Sequence, residues 1–255
     1  MLKAGRQKRD FRKRWEAAGE HLSRFRKYGD TEELHKLRVE IKKMKSLLEL
    51  NEKQFPGKKT EHHFGKVSNL FSKAGKIRDS QVNMELMEKH AVLTAGMENQ
   101  LTDFLVKKAG KLCEHSDNYL EIFHQKPVFF LNRFPDIHVT ELKHHLGKKI
   151  REIETGFSGK VKTKNIHDYR KKLKSLYYQS AIFSSSIKKK IKLNRVYLKE
   201  LEQTIGKWHD TIIVISIVEN TIYKKAVMKD LEKIRDKRLE KICSMAENFS
   251  KKVLV

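Results

Sequence analysis

His35, Arg38, Lys42 and Lys45 stand at spacings i, i+3, i+7 and i+10 in the stretch "HKLRVEIKKMK". His167, Arg170 and Lys174, followed by Tyr177, repeat the arrangement in "IHDYRKKLKSLYY". On an α-helix these spacings form one stripe, and at 1.5 Å rise per residue four such groups cover roughly 15 Å. Imidazole, guanidinium and ammonium groups in a row offer hydrogen-bond donors and positive charge along a line. That chemistry suits an extended, repeating anion better than a single phosphate. The histidine can donate to a phosphate oxygen while neutral. The cations beside it disfavour its own protonation until an anion arrives.

A lysine-rich face on one isolated helix is ordinarily a solvated face. The repetition separates the charges here. Lys36 and Lys43 have Asp168 and Ser175 as counterparts, whereas the His, the Arg and the first stripe Lys are matched. Metal binding is the other use of paired histidines. A helical-bundle metal site repeats Glu-x-x-His on facing helices; Glu32 precedes His35 by three, but its counterpart downstream is Lys164. The doublets His62–His63 and His144–His145 point in different directions on a helix. No metal site and no cofactor are expected.

The stripes must be held by helices, and the rest of the chain reads that way. Of 255 residues only Pro56, Pro127 and Pro135 are proline, and hydrophobic positions (38%) recur at helical intervals. Lys and Arg number 56 against 32 Asp and Glu, a net charge of +24, which points to a polyanionic partner. The basic N-terminus lacks the apolar core of a signal peptide, and no apolar run spans a bilayer, so a cytoplasmic protein is expected with no membrane contact. Cys113 and Cys243 show no metal-ligand spacing and no disulfide framework.

Two further echoes follow the stripes. "GKIRDSQV" returns as "GKWHDTII", aligning Gly75 with Gly206 and Asp79 with Asp210; "CEHSDNYL" returns as "CSMAENFS", aligning Cys113 with Cys243. The offsets run 132, 131 and 130, in order. This describes a tandem duplication of a unit of about 130 residues, far longer than a solenoid repeat. The boundary falls in "HQKPVFFLNRFPDIH", giving halves at 1–126 and 137–255, each a bundle of four or five helices with short loops. The first helix carries Phe11, Trp15, Ala18, Leu22 and Phe25 on an apolar seam. Asp30 or Thr31 caps the second, whose core face is Leu34, Leu37, Ile41, Met44 and Leu48, with Ile166, Tyr169, Leu173 and Leu176 as counterpart. Asp79 and Asp210 stand alone in their motifs. They are expected to orient neighbouring Arg and Lys side chains or to cap a helix after the glycine.

The doubled "His-x-x-Arg-x-x-[Ile/Leu]-Lys", each copy followed some forty residues later by "Gly-x-x-[Arg/His]-Asp-x-x-[Val/Ile]", resembles the CHAD domain, the conserved-histidine α-helical domain. The resemblance covers essentially the whole chain, 1–255, as a single domain. It implies an all-α fold of two antiparallel four-helix bundles related by pseudo-twofold symmetry, with a basic pore or groove between them. It also implies binding of inorganic polyphosphate, and for some members association with polyphosphate granules or fusion to a triphosphate tunnel domain. Carried onto this chain, the ligand-facing residues are His35, Arg38, Lys42, Lys45, His167, Arg170 and Lys174. Arg78 joins them from the "RD" position, where the second copy has His209.

No P-loop, nucleophile motif or paired-carboxylate arrangement occurs, and no tunnel domain with acidic metal ligands, so an enzyme is not expected. Non-enzymatic polyphosphate binding is the leading expectation, and nucleic-acid binding is the alternative. Against the alternative, Phe11, Trp15, Phe25 and Tyr119 fall on apolar seams, leaving no base-stacking platform.

Overall fold

Gly29 and Asp30 make the first turn of the chain. Gly29 adopts a φ of 68° and its N–H closes on the Phe25 carbonyl at 2.8 Å, ending helix α1 (Ala4–Tyr28). Glycine takes that left-handed conformation without a Cβ clash. Asp30 then caps α2 (Thr31–Leu50): its carboxylate accepts the Glu32 N–H at 2.9 Å, and Glu32 and Glu33 occupy the first turn. In this computed structural model the chain continues through α3 (Gly57–Lys89), α4 (Ala95–Glu114), α5 (Ser116–His124) and α6 (Val128–Leu131). Then follow α7 (Val139–Phe157), α8 (Thr163–Ala181), α9 (Ser185–Ile191), α10 (Arg195–Glu219), α11 (Lys225–Ala246) and α12 (Phe249–Val253).

The structure describes residues 1–157, 163–219 and 225–254. Among them the fold is all-helical, and β-pairing is confined to the isolated bridges Leu2–Ile137 and Leu193–Leu254. No described helix is long and apolar enough to cross a membrane.

The chain divides into two units. One is Lys3–Asp136; the other is Ile137–Val255 together with Met1–Leu2. In the N-terminal unit α1 packs on α2, α5 and α6, and α3 packs on α2 and α4. All five seam residues of α1 are buried, as is the apolar face of α2 from Leu34 to Leu48. Phe11, Trp15, Phe55, Phe123, Phe130 and Phe134 build an aromatic cluster with Phe11–Phe130 centroids 5.1 Å apart. Each such fully buried side chain contributes about 1.5–3 kcal/mol over leaving it in water.

Phe130, Leu131 and Phe134 belong to residues 127–136, which lie between the halves 1–126 and 137–255. These residues are core of the N-terminal unit, whose C-terminal limit, Asp136, falls within the stretch that holds the expected boundary. Backbone anchoring says the same: the Gln7 amide donates to the Pro135 carbonyl at 2.6 Å and the Ala4 N–H to Asp136 at 2.7 Å. Two prolines interrupt the helical pattern without releasing the chain from the core.

In the C-terminal unit α8 packs on α7 and α10, α10 on α11, and α12 on α7 and α10. Leu142, Leu146, Ile150 and Ile153 of α7 meet an interior shared with Ile166, Leu173 and Leu176 of α8 and Leu198, Leu201 and Ile205 of α10, all buried. Tyr169, expected on that apolar face, is only half-buried; its ring lies over Gly156 and 5.0 Å from Phe157.

Candidate anion-binding site

The two sides of α2 carry charge of different kinds. Toward α1, Glu33 and Glu40 are buried. Glu33 binds His21 at 2.7 Å and Lys36 at 2.5 Å, and Glu40 accepts from Arg14 at 3.2 Å and Lys43 at 2.7 Å. The hydrogen bond from Lys36 leads in holding the Glu33 carboxyl below its usual range, with burial opposing it. Lys36 and Lys43 are thereby spoken for by carboxylates one turn away on their own helix.

The stripe side faces α3, and there the partner is an aromatic ring. The Arg38 guanidinium sits 4.3 Å from the centroid of Phe71 and donates through Nη1 to the Phe71 carbonyl at 2.7 Å. Lys45 Nζ lies 4.4 Å from the same centroid and Lys42 Nζ 6.0 Å from it. Three cations thus lie within 6.0 Å of one ring centroid, a contact worth about 0.5–2 kcal/mol per well-placed cation. Among the described residues, neither Arg38 nor Lys45 has a carboxylate within 4.0 Å. Burial pulls the pKa of Arg38 down while the charge of Asp79 pushes it up; an arginine so displaced stays charged at neutral pH. Burial, and then the positive charge of Arg38, likewise lower the Lys45 ammonium. His35 is half-buried three residues before Arg38.

Gly75 makes this possible. A Cβ at that position would fall onto Arg38 Nη1, so any side chain would evict the guanidinium from the α3 backbone. Gly206 does the same on α10, where a Cβ would lie 2.8 Å from Arg170 Nη2. The repeated glycine is therefore the seat of the repeated arginine.

The C-terminal stripe shares that seat but meets a different neighbour. Four residues before Gly206 stands Glu202, as Phe71 stands four before Gly75. One oxygen of Glu202 accepts from Arg170 Nε at 2.8 Å and from Lys174 Nζ at 3.0 Å, and its side chain is 15% exposed. His167 lies with its ring centroid 5.0 Å from that of His209, and its Nδ1 is buried with no hydrogen-bond partner among the described residues. Burial first, then Lys171, His209 and Arg170, hold the His167 pKa below its usual value, with Asp168 opposing them. Tyr177, the counterpart of Lys45, carries the guanidinium of Arg195 at 4.5 Å from its centroid.

So the structure gathers Arg38, Lys42 and Lys45 on Phe71, and Arg170 and Lys174 on Glu202. Arg78 is not on the Phe71 face: it pairs with Glu85 at 3.2 Å and reaches Glu32 at 3.9 Å, tying α3 to the start of α2. Asp79 and Asp210 lie in the middle of α3 and α10, so the expectation that they cap a helix after the glycine is wrong; both helices run straight through Gly75 and Gly206. Asp79 acts on Arg38 by charge alone.

Phe71, Glu202 and Arg195 escaped the sequence reading. Phe71 and Glu202 differ in chemical type, and Arg195 aligns with Phe64, so a comparison of copies passes over all three. The shared distance of four residues to the glycine was the available signal. A separate basic cleft of 420 Å³, lined by Lys58, Lys59, His62, His63, Phe129 and Arg133, opens near the start of α3. Within it Phe129 stacks with His63 at 3.7 Å and with the Arg133 guanidinium at 3.9 Å. Among the described residues, no cluster of three or more His, Cys, Asp and Glu side chains could hold a metal ion.

The CHAD domain family matches residues 9–218, most of the chain and both copies of the motif, and the chain belongs to that family. No curated protein and no solved structure matches it.

Proposed function

We propose that this protein binds inorganic polyphosphate without catalysing its turnover, using the stripes of α2 and α8. The observation that carries the reading is the Arg38–Lys42–Lys45 row beside Phe71, with no described carboxylate within 4.0 Å of Arg38 or Lys45. Arg38 and Lys45, backed by a ring, keep outward N–H groups for a ligand, and successive groups along a helix meet successive phosphates. Lys36 and Lys43, off the stripe, are each paired with a buried carboxylate of their own helix. Membership of the CHAD family supports the same ligand. The return of the motif in the second unit supports an origin of the two units as tandem copies.

The reading places His35, Arg38, Lys42 and Lys45 of one unit and His167, Arg170 and Lys174 of the other on the ligand, with counterion release supplying much of the affinity. Arg195, over Tyr177, joins the second set. A cytoplasmic location, at polyphosphate granules, accords with it. The test is titration with polyphosphates of defined length at two salt concentrations, with RNA as competitor. Tighter binding of longer polyphosphate, undisplaced by RNA at equal charge concentration, is the expected result. Displacement by RNA would make this a general polyanion binder of the nucleic-acid-binding kind.

A further inference from the structure

The seats of Arg38 and Arg170 are built alike, yet what lies beneath the cations is opposite in character. Under Arg38 and Lys45 is the Phe71 ring, which attracts cations through its face but carries no net charge and cannot be exchanged for an anion. Against Arg170 and Lys174 is the Glu202 carboxylate, one oxygen of which takes a hydrogen bond from each. A carboxylate between a guanidinium and an ammonium makes the charge-assisted contacts that a phosphate oxygen would make there. Glu202 reaches them from α10, a separate helix, so the three groups close a clamp between α8 and α10.

We infer that Glu202 is an internal anion that occupies the C-terminal stripe in the ligand-free protein, and that a polyphosphate must displace it to engage Arg170 and Lys174. Arg38 and Lys45, seated on Phe71, need no such exchange and are loaded first. Glu202 thereby sets the affinity of the second stripe and raises the minimum charge density of an anion that can engage it. A phosphate chain with a charge on every unit competes with one carboxylate; a singly charged anion does not. The inference rests on the polyphosphate reading of the stripes.

The test uses the full chain and medium-length polyphosphate. Glu202→Gln keeps the size of the side chain and removes its charge, and it should tighten polyphosphate binding by about five- to tenfold, the order expected when one charge-assisted contact no longer has to be broken. The reciprocal variant Phe71→Glu should install the same competitor beside Arg38 and weaken binding by a similar factor. Melting temperatures of both variants identify any loss of folding, and Glu202→Phe, which copies the first seat, provides a second route to the same gain. Unchanged or weaker binding by both Glu202→Gln and Glu202→Phe in folded protein would overturn the inference, showing that Glu202 orients Arg170 and Lys174 for the ligand or is irrelevant to it. If instead Arg38→Ala with Arg170→Ala leaves binding intact, the stripes are not the site and the underlying reading fails. The two failures are therefore distinct.

Discussion

Gly75 lies directly beneath the guanidinium of Arg38: a Cβ at this glycine would overlap Nη1, the nitrogen that donates to the Phe71 carbonyl. The two residues are 37 positions apart on different helices. Helical geometry does not require the glycine, since α3 runs through it unbroken and a glycine in a helix interior is less favourable than alanine by about 1 kcal/mol. Its reason is the close approach of the arginine.

Gly75→Ala should therefore gain helix propensity and lose function. The expected outcome is near-native or slightly altered thermal stability, with polyphosphate affinity reduced toward that of Arg38→Ala. Gly206→Ala should act more weakly, because a Cβ there lies 2.8 Å from the Arg170 guanidinium, a shallower overlap than the one Gly75→Ala makes with Arg38. Calorimetric titration of both variants beside their melting curves checks this.

Replacing Arg38 and Arg170 together by alanine should weaken polyphosphate binding by about tenfold or more, while Lys36→Ala with Lys43→Ala should cost about twofold or less, on the scale of one to two charge-assisted contacts. Both pairs remove the same formal charge. Lys58→Ala with Lys59→Ala, in the basic cleft, supplies a second charge-matched control. Equal losses from all three pairs would show that binding follows net charge and not the stripes.

Phe71→Leu keeps an apolar side chain and removes the π face. Arg38 and Lys45 then lose a contact of about 0.5–2 kcal/mol each at most. Without the ring to hold them in register, the affinity for polyphosphate should fall by about three- to tenfold. Its measurement at two salt concentrations separates lost positioning, which leaves the salt slope unchanged, from lost charge, which lowers it.

His167 makes stability and binding respond oppositely to acid. Unfolded, its ring titrates near 6.5; folded, burial and the charges of Lys171, His209 and Arg170 hold it lower. As the pH falls below 6.5 the unfolded chain takes up the proton first, so this residue's contribution to stability declines until the folded ring also protonates. A bound polyanion reverses the repulsion, so the complex takes up a proton and affinity rises over the same acidic range. His167→Gln should flatten both profiles. Melting temperature and affinity, each followed from pH 8 to pH 5, check the signs.

Much of this architecture is legible in residue order. The seam of α1, the Asp30 cap and the core face of α2 follow from the 3.6-residue period and from local hydrogen bonding, and these act within one or two turns. The alignment of His35 with His167 and Arg38 with Arg170 likewise needs only the chain compared with itself. The fate of residues 127–136 was not legible, because two prolines mark a break in helix but carry no information about Phe130 and Phe134 finding an aromatic interior. Nor was the position of Asp79 and Asp210 in mid-helix, since a glycine in a motif suggests a terminus unless the side chain that needs its missing Cβ is known.

The stripes themselves depend on spacing along single helices, and spacing is a property of sequence. What each stripe rests on depends on which residue of another helix, about thirty positions away, packs beneath it. Phe71 and Glu202 hold the same place relative to their glycines, yet one presents a neutral ring and the other a carboxylate. Packing brings each within reach of its cations, Glu202 at 2.8–3.0 Å and the Phe71 centroid at 4.3 Å from Arg38, and there its chemical character governs what the cations can still bind.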